Sequence, residues 1–288
     1  MIRILGTALA GLVGLAFGSF LNVCLTRWPE GESIVKPRSH CRNCSRTLAW
    51  WENVPLLSWI ALRGHCRTCS SWIGLRYPAV ELAVGVLWAA IVWPTLSTDI
   101  PVSFSPLGLV EHLAAICGKM TLVFLLVGLA ALDTEHLWLP DSVTLPGILA
   151  GIVVTLVRRD SLVTTGRFNP SIVALLLNLA FAILIAGGSI VLIHWLYRLV
   201  RRREGIGLGD AKLMAMLAAW LGLPGALLAF VIGVLLGALV AVYLLLRSRF
   251  GHGTENPALL KLPLGTFLCI GGIASVLWGS QIIAAYMR

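Results

Sequence analysis

Asp133, in LDTEHLWLPD, and Asp210, in GLGDAKL, are carboxylates placed where long apolar segments meet water. An ionisable group at a membrane boundary needs a partner or a wet cavity, so it is a functional hypothesis by default. When two carboxylates come within hydrogen-bond reach they do not both stay ionised. One keeps a proton while the other acts as a base, and such a pair can activate water against a peptide bond. Plainer readings stand beside this one. Asp210 would serve as the N-cap of the helix that follows it, Asp133 would be a solvated acid at a helix end, and Glu135 or Asp141 would be the working acid instead.

A second constellation is Cys41, Cys44, Cys66 and Cys69, two CxxC pairs with 21 residues between them. Each CxxC lets two thiolates reach one ion from a tight turn, and four thiolates complete the tetrahedral shell of structural Zn²⁺. The intervening stretch is slightly longer than the usual 15 to 20 residues. Two disulfides or a redox CxxC are the alternatives, but no βαβ pattern surrounds either pair and a cytosolic compartment opposes stable disulfides. A metal would also supply folding energy to a short segment with little apolar core. His40 and His65 each precede a CxxC, where replacing one thiolate is one reading, but their adjacency to the pairs favours supporting or surface groups. Cys24, Cys117 and Cys269 read as small buried hydrophobes, and His112 and His194 as core or interface residues. Trp50, Trp51 and Trp59 suit either a lipid headgroup layer or the core of the small domain.

The elements that must position these residues are set by composition. Of 288 residues 58% are hydrophobic and 12% charged, with a mean hydropathy of +0.90, far from a soluble globular chain. About eight apolar stretches approach spanning length, at 4–25, 79–97, 107–131, 143–157, 171–197, 211–222, 224–246 and 262–285, the fourth and sixth being short. The first is read as a retained helix rather than a signal peptide. The expected fold is an all-α polytopic membrane protein of about eight transmembrane helices, with a small cytoplasmic four-cysteine zinc-binding domain between helices 1 and 2. Its parts would be a first helix at 1–25, the zinc-binding domain at 26–78 and a transmembrane catalytic domain at 79–288.

If the helices alternate, 26–78, 132–142, 198–210 and 247–261 fall on one side, and sixteen of the 22 Lys and Arg residues lie in or beside those segments. The positive-inside rule makes that side the cytoplasm and places Asp133 and Asp210 there. The net charge of +9 is accounted for by helix flanks and anionic membrane lipid, so nucleic acid is not an expected partner. No rival catalytic set competes. Ser19 and Ser58 lack a nucleophile elbow, TEHLW is not HExxH, and no phosphate-binding or dinucleotide loop occurs. An ion-coupled transporter would place its carboxylates near the midplane within inverted repeats, and a zinc-ribbon scaffold would not need the aspartates.

Together these residues resemble the type IV prepilin peptidases, membrane aspartyl proteases of the GxGD kind. The resemblance is carried by GSFLNVCLTRWP at 18–29, the CxxC pairs with ENVPLLSW between them, RYPAVEL at 76–82, LDTEHLWLPD at 132–141, GLGDAKL at 207–213 and PLGTFL at 263–268. It implies that Asp133 and Asp210 are the catalytic dyad and that the substrates are prepilins or pseudopilins with a short basic leader. It also implies residence in the inner membrane of a Gram-negative bacterium. Members that keep the four cysteines also methylate the new N-terminal amine with S-adenosylmethionine, for which this sequence carries no fingerprint of its own. Glu81, after RYPAV, is a candidate to hold a substrate amine or arginine, with a simple pair to Arg76 as its other reading.

Overall fold

The protein is described by a computed structural model covering residues 1–96, 106–158, 172–202, 207–249 and 262–286. The charges at 159, 167 and 261 and the turn residues Gly205 and Ile206 lie outside the described residues. Within them all extended regular structure is helical: α1 (Ile2–Arg27), a 3₁₀ turn (Trp50–Asn53), α2 (Leu57–Ala61), α3 (Arg76–Thr95), α4 (Pro106–His136), α5 (Asp141–Val157), α6 (Ile172–Arg201), α7 (Leu208–Arg249) and α8 (Leu264–Tyr286).

Six of these, α1, α3, α4, α6, α7 and α8, are long and apolar enough to cross a membrane, while α5 is a shorter apolar helix. The 42 residues of α7 would measure about 63 Å as one rod, twice the hydrocarbon thickness of a bilayer. Gly222 divides it. Its φ of 70° and ψ of 175° break the helix, with Pro224 just beyond, so that α7 consists of two apolar segments. Each of the eight apolar stretches expected from the sequence therefore coincides with one helical segment. An L-residue at Gly222 is strained by about 1–3 kcal/mol. Gly222→Ala is accordingly expected to lower the thermal midpoint of the detergent-solubilised protein, whereas Gly188→Ala, in open space on α6, leaves it unchanged or slightly raised.

The chain divides into two compact units, Met1–Ser103 and Phe104–Arg288. In the first, α1 packs along α3. Apolar surface gains little by leaving lipid for protein, so close backbone approach has to supply the contact. A Cβ on Gly14 would stand 2.9 Å from the Gly85 Cα, and one on Gly18 2.6 Å from the Glu81 Cα. The residues between the two helices fold over the end of this pair.

In the second unit α7 is central and packs against α5, α6 and α8, while α4 packs on α8 and α5. Leu122, Leu126, Leu129, Leu213, Met216, Leu217 and Leu268 are fully buried there. Buried and half-buried side chains also hydrogen-bond across helices: Trp220 Nε1 donates to the Gly147 carbonyl at 2.8 Å, Thr155 Oγ1 to Ala219 at 2.9 Å and Ser275 Oγ to Gly225 at 2.9 Å. Such bonds contribute on average about 0.6 kcal/mol each within a bilayer. Cys24, Cys269 and His194 are buried as expected, but Cys117 and His112 face outward from α4. Apolar periodicity is weak on a helix that is hydrophobic all round, so the sequence did not reveal which flank of α4 is covered.

Candidate active site

Three helix ends meet around the two aspartates, all within the second unit. Asp133 lies in the last turn of α4, Asp210 is the third residue of α7, and Thr266 is the third residue of α8. Asp210 is thus inside its helix rather than at the N-cap. Both carboxylates are almost wholly covered, Asp133 at 6% exposure and Asp210 at 7%. Asp133 Oδ2 accepts the Thr266 backbone N–H at 2.6 Å and lies 3.1 Å from the Thr266 hydroxyl. Thr134 joins the same network, 2.9 Å from Thr266 Oγ1 and donating to the Ala130 carbonyl.

Small residues make this approach possible. A Cβ on Gly265 would stand 2.9 Å from Asp133 Oδ2 and 3.0 Å from Leu139. A Cβ on Gly209 would stand 3.1 Å from the same leucine, which is buried. Leu139 therefore bridges the residues flanking both carboxylates. Glu135 and Asp141 have different surroundings. The Glu135 side chain is 36% exposed beside His136, and Asp141 is 58% exposed and paired with Lys212 at 2.5 Å. Two desolvated acids where the same helix ends meet can share a proton, whereas two exposed, separately paired acids have no reason to. Thr266 and Gly265 were missed as site residues by sequence reasoning. Their signal was PLGTFL, a hydroxyl beside a glycine at the start of an apolar helix.

In the first unit the four cysteines come together, their Sγ atoms all within 4.8 Å of one another. A tetrahedron with metal–sulfur bonds of about 2.3 Å has edges of about 3.8 Å, and Cys41 Sγ and Cys69 Sγ are 3.8 Å apart. Two copies of one turn build the cluster. Cys41 N–H donates to Arg46 and Ser45 N–H to Cys41, and 25 positions on Cys66 N–H donates to Ser71 and Ser70 N–H to Cys66. Ser45 and Ser70 have matching φ of 55° and 54°, and isolated bridges His40–Thr47 and His65–Trp72 close each copy.

The Ser71 hydroxyl, 3.2 Å from Cys69 Sγ, and the Ser71 N–H hold the Cys69 thiol down at about 5, as a thiolate suited to a cation. The cluster could hold one metal ion. His40 and His65 stay out of it, each directing Nδ1 to a backbone carbonyl two residues back. Glu52 braces the segment between the pairs. Its buried carboxylate accepts both Arg46 Nη atoms, at 3.0 and 2.6 Å, and the Ala49 N–H at 2.7 Å. The Arg46 guanidinium holds that carboxyl below its ordinary value against the cost of burial. The tryptophans divide: Trp59 packs edge-on to Trp72 and donates to Ile73, while Trp50 is 78% exposed.

A cavity of about 930 Å³ lies between α1, the cysteine segment and the start of α3. Asn22, Trp59, Tyr77 and Glu81 are among the residues lining it. Glu81 is buried and accepts the Leu56 N–H at 2.8 Å, while Arg76 instead lies over the Tyr77 ring.

The arrangement has counterparts in known proteins. Residues 12–95 match the bacterial peptidase A24 N-terminal domain and residues 120–242 match the type IV leader peptidase family, so the family boundaries follow the cysteine unit and the aspartate unit. The chain is 34% identical to a prepilin leader peptidase/N-methyltransferase of Burkholderia pseudomallei (strain 1026b), over 95% of this chain and 85% of that one. It is 32% identical to a protein of the same name from Pseudomonas putida, over 97% and 93%, and 31% identical to one from Pseudomonas aeruginosa, over 96% and 92%. No solved structure matches it. With both family models in order along the chain and relatives aligned over nearly their whole length, this protein belongs to the type IV leader peptidase family.

Proposed function

We propose that this protein removes the leader of type IV prepilins or type II secretion pseudopilins and then methylates the new N-terminal amine, and that Asp133 and Asp210 perform the cleavage. Family membership supports the activities, and the observation that carries the residue assignment is the buried pair at 6% and 7% exposure. One carboxylate takes a proton from water as it attacks the scissile carbonyl, and the proton held on the pair goes to the carbonyl oxygen. The tetrahedral intermediate collapses when the leaving nitrogen is protonated. Thr266 holds the Asp133 carboxylate in place for both steps.

The charge distribution supports an inner-membrane protein with the cysteine segment 26–78 and both aspartates on the cytoplasmic side, where a basic leader would lie. In this division the first helix, 1–25, carries the zinc-binding domain and the peptidase lies within 79–288. Four convergent thiolates with a 3.8 Å edge suit Zn²⁺ in a structural, closed site. S-adenosylmethionine supplies an electrophilic methyl group. A cavity of about 930 Å³, lined by aromatic, apolar and both acidic and basic side chains, has room for a nucleoside.

Co-expression with a model prepilin, followed by mass spectrometry of the product's N-terminus, tests this reading. A shortened, methylated product is expected, and unaltered full-length prepilin would refute it. Thr266→Val removes the hydroxyl but keeps the N–H on Asp133. Because hydrogen bonds to charged groups contribute about 1.5–3 kcal/mol, kcat is expected to fall about tenfold to a hundredfold with little change in KM. An unchanged kcat would remove Thr266 from the site.

A further inference from the structure

The corner of the first-unit cavity where α1 meets α3 holds acceptors without enough donors. Asn22 is 2% exposed; its Nδ2 donates to the Tyr77 carbonyl at 2.9 Å, yet its Oδ1 is buried with no hydrogen-bond partner. A buried acceptor left unpaired costs about 1–3 kcal/mol, so it calls for a ligand or a water. Glu81 lines the same cavity at 8% exposure. Its polar neighbours are the Leu56 N–H and the Ser19 side chain, and no cationic group among the described residues forms an ion pair with it. Both residues line the cavity, with the Asn22 Oδ1 covered and unpaired and Glu81 without an ion-pair partner among the described residues, so this corner lacks a donor that is also positively charged. The adjoining wall on α1 is apolar, with Ala16, Phe20 and Val23.

We infer that Asn22 and Glu81 bind the methyl acceptor, the α-amine of an apolar peptide N-terminus, an inference that rests on the methyl-transfer reading above. The amine enters as an ammonium, donating to Asn22 Oδ1 and Glu81. Glu81 takes one proton, which frees the nitrogen lone pair. That pair forms the N–C bond to the methyl carbon as the C–S bond breaks, with its electrons staying on sulfur, and the product leaves as a methylammonium. The α-amine of the methyl donor suits this corner less well, because its neighbouring α-carboxylate would be repelled by Glu81. The first residue of the acceptor, being apolar, would lie against the α1 wall.

The test uses the full chain in detergent without methyl donor. Binding is compared for a synthetic peptide with an N-terminal phenylalanine and for its N-acetylated twin. Wild type is expected to prefer the free amine by about tenfold or more. Glu81→Gln, whose Oε1 still accepts the Leu56 N–H, is expected to lose that preference, and Asn22→Leu to reduce it severalfold. Both variants should still cut prepilin, which shows them folded, with the product left unmethylated by Glu81→Gln and methylated severalfold more slowly by Asn22→Leu. Equal binding of the two peptides to wild type, or an intact preference or normal methylation in Glu81→Gln, overturns the inference and spares the functional reading. Weakened binding of S-adenosylhomocysteine by Glu81→Gln with the amine preference intact would assign the corner to the donor and also overturn it. Cleaved but unmethylated product from wild type would instead overturn the methyl-transfer reading, and this inference with it.

Discussion

Asp133→Asn and Asp210→Asn each leave a co-expressed prepilin uncut, with a loss in cleavage rate of at least about 10³-fold, in protein that is still inserted and folded. Asparagine has nearly the shape of aspartate, and its Oδ1 can still accept the Thr266 N–H that holds position 133. What it lacks is the ability to take and return a proton. Both members of the pair are needed in complementary protonation states, so either substitution removes the base or the acid. The double variant should be about as inactive as either single one, because residues that act as a unit do not lose activity additively. Glu135→Gln and Asp141→Asn, at the exposed acids nearby, are expected to leave cleavage within a few-fold of wild type. Mass spectrometry of the prepilin N-terminus reads all five variants. Processing by either single variant near the wild-type rate would remove the pair from the chemistry.

Replacing one thiolate has an effect of comparable size on the first unit. Purified wild type is expected to carry one zinc per chain, and Cys41→Ser or Cys66→Ser to carry almost none by elemental analysis. Structural zinc contributes about 10–16 kcal/mol to small four-ligand peptides at neutral pH. A segment of this size has little else to hold it, since Glu52 and the Trp59–Trp72 contact are its main other braces. Losing the metal should therefore unfold residues 38–73, visible as fast hydrogen exchange there. Cys41 and Cys66 also line the cavity between α1 and α3, whereas the aspartates lie in the second unit. Methylation should be abolished while cleavage survives to a larger extent. Full zinc content in both variants would refute the four-thiolate site.

The family motifs were legible in the sequence because each is a short run whose chemistry depends on local spacing. CxxC fixes two ligands on one turn, and GLGDAKL sets a carboxylate at a helix start. Apolar length likewise marked the membrane segments, since a bilayer imposes about 20 residues per crossing whatever the packing. Even the break in α7 was legible, as the gap between 211–222 and 224–246. Side-chain surroundings were not. Cys117 was expected inside and faces out, and His112, read as core or interface, is not in the core, because the apolar character of α4 does not differ enough between its flanks.

The sequence by itself determined the all-helical membrane architecture, the four-cysteine segment and the two aspartates as the residues worth testing, because each follows from composition or from residues close in the chain. Tertiary structure alone decided which acids are desolvated. It buried Asp133 and Asp210 and left Glu135 and Asp141 exposed, the two acids that the sequence had kept open as alternatives. It also brought Thr266 to Asp133 across 133 positions and Asn22 and Glu81 to one cavity across α1 and α3. Burial and long-range hydrogen bonding depend on which helices pack together, and that packing rests on close approach at glycines such as Gly18 and Gly265, whose partners lie far away in the chain.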